Sequence, residues 1–208
     1  MNRLLASFMF SMVCAAAASA QGPEFLYLDL QAYGEKTYIT WKANEGLPDL
    51  TGGQNFALEM EKNTSADTIA YAYVLGVWRR PVTFLTQGTG LSWERRAGTY
   101  CRYPPSFVVR IIGKSGAVHW LLLRCFWAVQ SAGSREGWVK ETFSPSQITA
   151  QIISQNGADP EDALAGTIDV LALAFNAPMA EVLLDNIRVN NKVWSYPADN
   201  GRVTGGKK

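Results

Sequence analysis

Gln54-Asn-Phe-Ala-Leu-Glu-Met-Glu-Lys62 places Phe56, Leu58 and Met60 on one side and Glu59 and Glu61 on the other. A period of two marks a strand with one face buried and one face wet, the habit of antiparallel sheets. Upstream, Phe25–Ala32 and Thr37–Lys42 bracket Tyr33-Gly34-Glu35-Lys36, which reads as a hairpin, and Asn44–Gly53 is a loop. Downstream, strands are predicted over Ile69–Val77, Val82–Thr86, Leu91–Arg95, Phe107–Ile112, Val118–Trp127 and Trp138–Phe143. Two more, Thr167–Phe175 and Glu181–Val189, flank the turn Asn176-Ala177-Pro178. Ser131–Gly137 reads as a polar turn and Ala158–Leu164 as a loop or helical turn opened by Asp159-Pro160; Pro145–Asn156 is ambiguous, with a short helix open to it. About ten short strands without a long helix imply an all-β fold, an antiparallel two-sheet β-sandwich or jelly roll.

The N-terminus supplies the compartment. Met-Asn-Arg, the apolar run Leu4 to Ala18 and the small residues before Gln21 are the three parts of a cleavable signal peptide over residues 1–20. The run is short for a membrane span and no second one follows, so the expectation is a secreted or periplasmic protein with no membrane span. A single domain is expected over 21–198, with a flexible polar tail over 199–208 ending in Gly-Gly-Lys-Lys. A net charge of +1 gives no field for nucleic acid. Hydrophobic content of 48% with seven Trp argues for a packed interior. Past residue 20 the cysteines are Cys101 and Cys125, and in an oxidising compartment the two are expected to form a disulfide.

Thr167-Ile-Asp-Val-Leu-Ala-Leu-Ala-Phe175, a turn, then Glu181-Val-Leu-Leu-Asp-Asn-Ile-Arg-Val189 resembles the closing hairpin of galactose-binding-like β jelly rolls. Gly137-Trp138 leading into Phe143 and Ser144 is similar to the segment that precedes it there, so the resemblance runs over residues 137–190. That superfamily includes many carbohydrate-binding modules, and the resemblance implies a jelly roll that recognises a polysaccharide or glycan. It also implies a structural calcium, with Asp185 as one ligand and Glu24 or Asp29 as a second carboxylate. A hard cation needs several oxygen ligands, and the alternative is that Asp185 accepts hydrogen bonds from a neighbouring turn.

Sugar rings are held by stacking their C–H faces on aromatic side chains while polar groups meet the hydroxyls. Alternation puts Tyr71, Tyr73 and Leu75 on one face of their strand and Trp78 on the other. In the strand from Val118, Trp120 and Arg124 share a face opposite His119, Leu121, Leu123 and Cys125. Trp78-Arg79-Arg80 and Trp93-Glu94-Arg95-Arg96 join rings to guanidinium groups that fork onto hydroxyls or carboxylates, which points to an acidic or mixed polysaccharide. The ligand-binding candidates are therefore Tyr73, Trp78, Trp93, Trp120 and Arg124. Each competes with an ordinary core or packing role.

Catalysis has weaker support. Glu59 and Glu61 share a strand face roughly 6–7 Å apart, wider than the carboxyl spacing of a retaining glycosidase. His119 is the single histidine, which excludes a multi-histidine metal centre within the chain. The leading expectation is a secreted, non-catalytic, lectin-like domain. The alternatives are a glycan-degrading hydrolase or lyase on the same scaffold, and an extracellular structural protein whose apolar strands make homo-oligomer contacts.

Overall fold

Leu58 and Met60 are sealed in the interior, and Glu59 and Glu61 stand on the opposite side of the same strand. The computed structural model describes residues 26–48 and 55–195. The expected signal peptide over 1–20, Glu24 and residues 199–208 lie outside the described residues. The strands are β1 (Tyr27–Tyr33), β2 (Thr37–Ala43), β3 (Phe56–Lys62), β4 (Ile69–Leu75), β5 (Leu91–Arg96), β6 (Ser106–Ile112), β7 (Val118–Arg124), β8 (Val129–Ala132), β9 (Trp138–Phe143), β10 (Thr167–Phe175), β11 (Ala180–Val189) and β12 (Lys192–Trp194). Three short α-helices accompany them, α1 (Thr83–Thr86), α2 (Pro145–Gln155) and α3 (Pro160–Leu164), and a 3-10 turn, Cys125–Trp127, follows β7 where the strand was expected to continue.

One antiparallel sheet runs in the order β1-β4-β10-β6-β7 and a second in the order β2-β3-β11-β5-β9-β8, with β12 paired to β11. Their apolar inner faces close on each other around Leu58, Trp93, Phe107, Phe143, Leu173, Phe175 and Ile187. This is an antiparallel two-sheet β-sandwich. No helix among the described residues is long and apolar enough to cross a membrane. Cys101 and Cys125 form the expected disulfide, with their Cα atoms 5.6 Å apart.

Four local expectations are corrected. β1 and β2 are not a hairpin: β1 pairs with β4 and β2 with β3, in opposite sheets. The resembled closing hairpin is likewise split, with β10 in one sheet and β11 in the other. A turn signal specifies chain reversal, not which sheet the next strand joins, and here each reversal lets two apolar faces meet across the core. Val82–Thr86 forms the helical turn α1, since an apolar run of that length carries no period to separate helix from strand. β8 occupies part of the expected polar turn, its exposed residues being an edge strand.

β7 closes one edge of the five-stranded sheet, where backbone groups would lack partners. α2 supplies them. Gln155 Oε1 accepts from the Leu122 N–H at 2.9 Å, Gln155 Nε2 donates to the Leu122 carbonyl at 2.8 Å, and Asn156 Nδ2 donates to the Trp120 carbonyl at 3.3 Å. α2 itself starts on a capping box between Ser144 and Gln147 with Pro145 in the first turn, and it buries Ile148 and Ile152. A short amphipathic helix thus steadies the strand that carries Trp120.

Candidate functional site

The outward side chains of the five-stranded sheet make a trough. On β4 Tyr71 and Tyr73 point outward, and on β7 Trp120, Leu122 and Arg124 do, while Ala70, Ala72, Leu121 and Leu123 fill the core. Between these walls run β10 and β6, so the walls are three strand spacings apart, about 14 Å. Beside the tyrosines the intervening outward residues are small: Tyr73 neighbours Ala172, which neighbours Val108, and Tyr71 neighbours Ala174, which neighbours Ser106, while Val170 and Arg110 lead to Trp120. Large rings on the flanks and small groups on the floor produce a groove of about 530 Å³. Trp120 is 51% exposed beside it.

Polar groups sit where a ligand would need them. β10 slips register between Ile168 and Val170, and this bulge frees Asp169 to bond Arg110 on β6, Nη1 to Oδ2 at 2.6 Å. Arg110 is the register partner of Trp120. On the other flank the Tyr33 hydroxyl donates to Gln31 Oε1, and Gln31 Nε2 donates to Asp29 at 2.6 Å. Tyr71 and Tyr73 stack with ring centroids 5.1 Å apart. Burial raises the pKa of both phenols, and the neighbouring Tyr33 hydroxyl raises Tyr73 further, so both remain neutral O–H groups at physiological pH.

The five sequence candidates separate. Tyr73 and Trp120 line the same groove from β4 and β7, offset by one outward position, since the row through Tyr73 ends at Leu122 and the row through Tyr71 at Arg124. Trp78 follows the end of β4, outside the groove lining; it is 62% exposed, with Arg79 stacked 4.2 Å from its ring centroid. Trp93 is corrected outright. It is a core residue with no exposed surface, and its indole N–H donates to the buried Glu141. The rest of that tetrapeptide is engaged too: Arg95 pairs with Glu141 at 3.0 Å, Arg96 with Glu45, and Glu94 accepts from Ser134 and Asn186.

The catalytic alternative does not assemble at the groove. Glu59 and Glu61 face out of the seven-stranded sheet, on the opposite side of the sandwich; Glu59 pairs with Lys42 at 2.6 Å and Glu61 accepts from Asn63. His119 Nε2 lies 2.8 Å from Asp162, and the Ser115 hydroxyl donates to that same carboxylate oxygen. Asp162 therefore stands between serine and imidazole, which is not the relay a nucleophilic serine needs.

Asp185 is buried on the outer side of β11. Its Oδ2 accepts the Leu47 N–H at 2.7 Å and its Oδ1 the Asn186 N–H at 2.6 Å. Desolvation pushes its pKa up to about 7 although both N–H bonds favour the anion; the nearby Glu94 carboxylate acts in the same direction as burial. Asp29, on the far sheet, cannot share an ion with it. Both carboxylate oxygens thus accept backbone N–H groups, the hydrogen-bonding role that the sequence left open for Asp185 as the alternative to calcium.

Tyr71 and Arg110 also line the groove, Arg110 paired to Asp169, and none of the three is among the sequence candidates. Tyr71 shares Tyr73's parity, which was available in the sequence; the Arg110–Asp169 pair depends on a bulge and was not. No protein-family model and no curated protein matches the chain. A solved structure of the Clostridium thermocellum N-terminal endo-1,4-β-D-xylanase 10B, its CBM22-1–GH10 modules complexed with xylohexaose, is similar at 11% identity and a TM-score of 0.35. The likeness covers 76% of this chain and 25% of that one, and at that score it carries no argument.

Proposed function

We propose that this protein is an exported, non-catalytic carbohydrate-binding domain that lays a glycan chain across the outer face of the five-stranded sheet. The observation that carries this reading is one groove with aromatic flanks: Tyr71 and Tyr73 on β4 and Trp120 diagonally across on β7, over Ala172, Val170 and Val108 with Arg110 beside Trp120. Rings offer apolar faces to sugar C–H groups, and the phenolic hydroxyls with the Arg110–Asp169 pair offer donors and acceptors to sugar hydroxyls. The sheet keeps both rigid, so little ordering is required on binding. The disulfide and the signal-like N-terminus support a location outside the cytoplasm.

The test is a glycan array followed by affinity electrophoresis with the purified protein. Retention by at least one polysaccharide, abolished by Trp120→Ala in a variant of unchanged fold, supports the reading. Retention by none, or retention unaffected by Trp120→Ala and Tyr73→Ala together, overturns it.

A further inference from the structure

The Trp120 wall does not end at the groove. Trp120, Leu122 and Arg124 follow each other along the outer face of β7, so Arg124 lies about 14 Å beyond Trp120. There it reaches a second cluster of rings. Its guanidinium carbon is 5.3 Å from the centroid of Tyr103 and 5.1 Å from that of Trp127. Tyr103 meets Phe126 edge-on at 5.7 Å, Phe126 meets Trp127 at 4.9 Å, and Arg102 lies 5.7 Å over Tyr103. Tyr103 and Phe126 are each about half exposed.

Charge separates this cluster from the groove. Arg110 is matched by Asp169, Arg95 by Glu141 and Arg96 by Glu45. Among the described residues no carboxylate pairs with Arg124 or Arg102. A guanidinium over two rings is held in place by cation–π contact while its five N–H donors remain for another acceptor. The support is firm as well. Cys101 precedes Arg102 and Tyr103, Cys125 lies between Arg124 and Phe126, and their disulfide ties the two segments together.

From this geometry we infer that Arg124, with Arg102 beside it, takes the carboxylate of a uronic acid unit in an acidic glycan whose chain continues into the groove. The inference rests on the carbohydrate-binding reading and names its ligand class. A planar fork matches a carboxylate in two parallel hydrogen bonds, and the neighbouring rings accept the sugar face that bears it.

The experiment compares polygalacturonate, alginate and hyaluronan with the carboxyl-reduced neutral form of each, by calorimetry on the full chain at low salt. At least one acidic polymer is expected to bind tenfold or more tightly than its neutral form, with the margin shrinking as salt rises. Arg124→Gln is expected to erase the margin between the acidic and the neutral form, and Arg124→Lys to retain a fraction of it, since it keeps charge without the fork. Equal affinity for every acidic and neutral pair overturns the inference, as does a margin that survives Arg124→Gln, or equal preference for dextran sulfate or polyglutamate. In each of these cases neutral-glycan retention still supports the broader reading. Loss of binding to every glycan sinks that reading first.

Discussion

Tyr73 on β4 and Trp120 on β7 stand on the same side of one sheet, separated by two strands that present Ala172, Val170, Val108 and Arg110 between them. Neither ring fills the core: Trp120 is 51% exposed and Tyr73 half-buried. A large apolar side chain left exposed beside a groove is a better pointer to binding than any buried aromatic in the chain.

The first prediction follows from that exposure. Trp120→Ala should weaken glycan retention tenfold or more, about 1.4 kcal/mol, while moving the unfolding free energy by less than about 0.5 kcal/mol, the usual range for a surface site. Affinity electrophoresis and a denaturant melt read the two separately. A melt shifted as strongly as the retention would mean that Trp120 is structural.

How far the sequence led can be judged from particular residues. Period-two alternation correctly set Leu58 and Met60 against Glu59 and Glu61, and Leu121 and Leu123 against Trp120 and Arg124, because side-chain direction in a strand is a local property. Trp93 shows where that stops. Its parity separates it from Glu94, but nothing local says which of the two faces the second sheet. The Trp93-Glu94-Arg95-Arg96 tetrapeptide looked like a ring beside free guanidinium groups, yet Glu141 and Glu45, distant in sequence, neutralise both arginines. The reversal at Tyr33–Lys36 was correctly read as a turn and wrongly as a hairpin, since strand partners are chosen by the whole sandwich. Asp169 reaches Arg110 through a register slip that no alternation rule contains.

The second prediction concerns Asp185. Its folded pKa of about 7 lies above the ordinary aspartate value of 3.8, so the folded state holds a proton that the unfolded state releases. Its contribution to stability is therefore complete below about pH 4 and is lost as pH rises through about 7. Thermal melts from pH 4 to 8 should show this decline, and Asp185→Asn should flatten it. Because N–H groups complete the carboxylate, melts in calcium and in EDTA should coincide; a calcium-dependent rise abolished by Asp185→Asn would return the cation to this site.

A third prediction separates binding from catalysis. Glu59 holds Lys42 on the face opposite the groove, with its pair partly open to water. Such a pair is worth about 0–1 kcal/mol. Glu59→Gln should leave glycan retention unchanged and stability within that range. The unmodified protein should release no reducing ends from a polysaccharide it retains. Reducing ends that disappear in Glu59→Gln would restore the hydrolase alternative.

The fourth prediction uses the covalent link between the two halves of the Arg124 cluster. Cys125 is fully buried and Cys101 partly so, with a sequence separation of 24. Closing a loop of that size stabilises a fold by about 3 kcal/mol in the chain-entropy view. For a chain of this length each kcal/mol moves Tm by roughly 2–4 °C, so Cys101→Ala with Cys125→Ala should lower Tm by roughly 6–12 °C. The consequence for binding is selective. Tyr73 is on a strand the disulfide does not touch and Trp120 lies five residues before Cys125 on β7, whereas Tyr103, Arg124 and Trp127 each lie within two residues of a bridged cysteine. Below its own melting range, the double variant should retain a neutral glycan about as well as the parent and lose much of any preference for the acidic form. Equal loss of both would mean that the bridge supports the groove as a whole, not the guanidinium end of it.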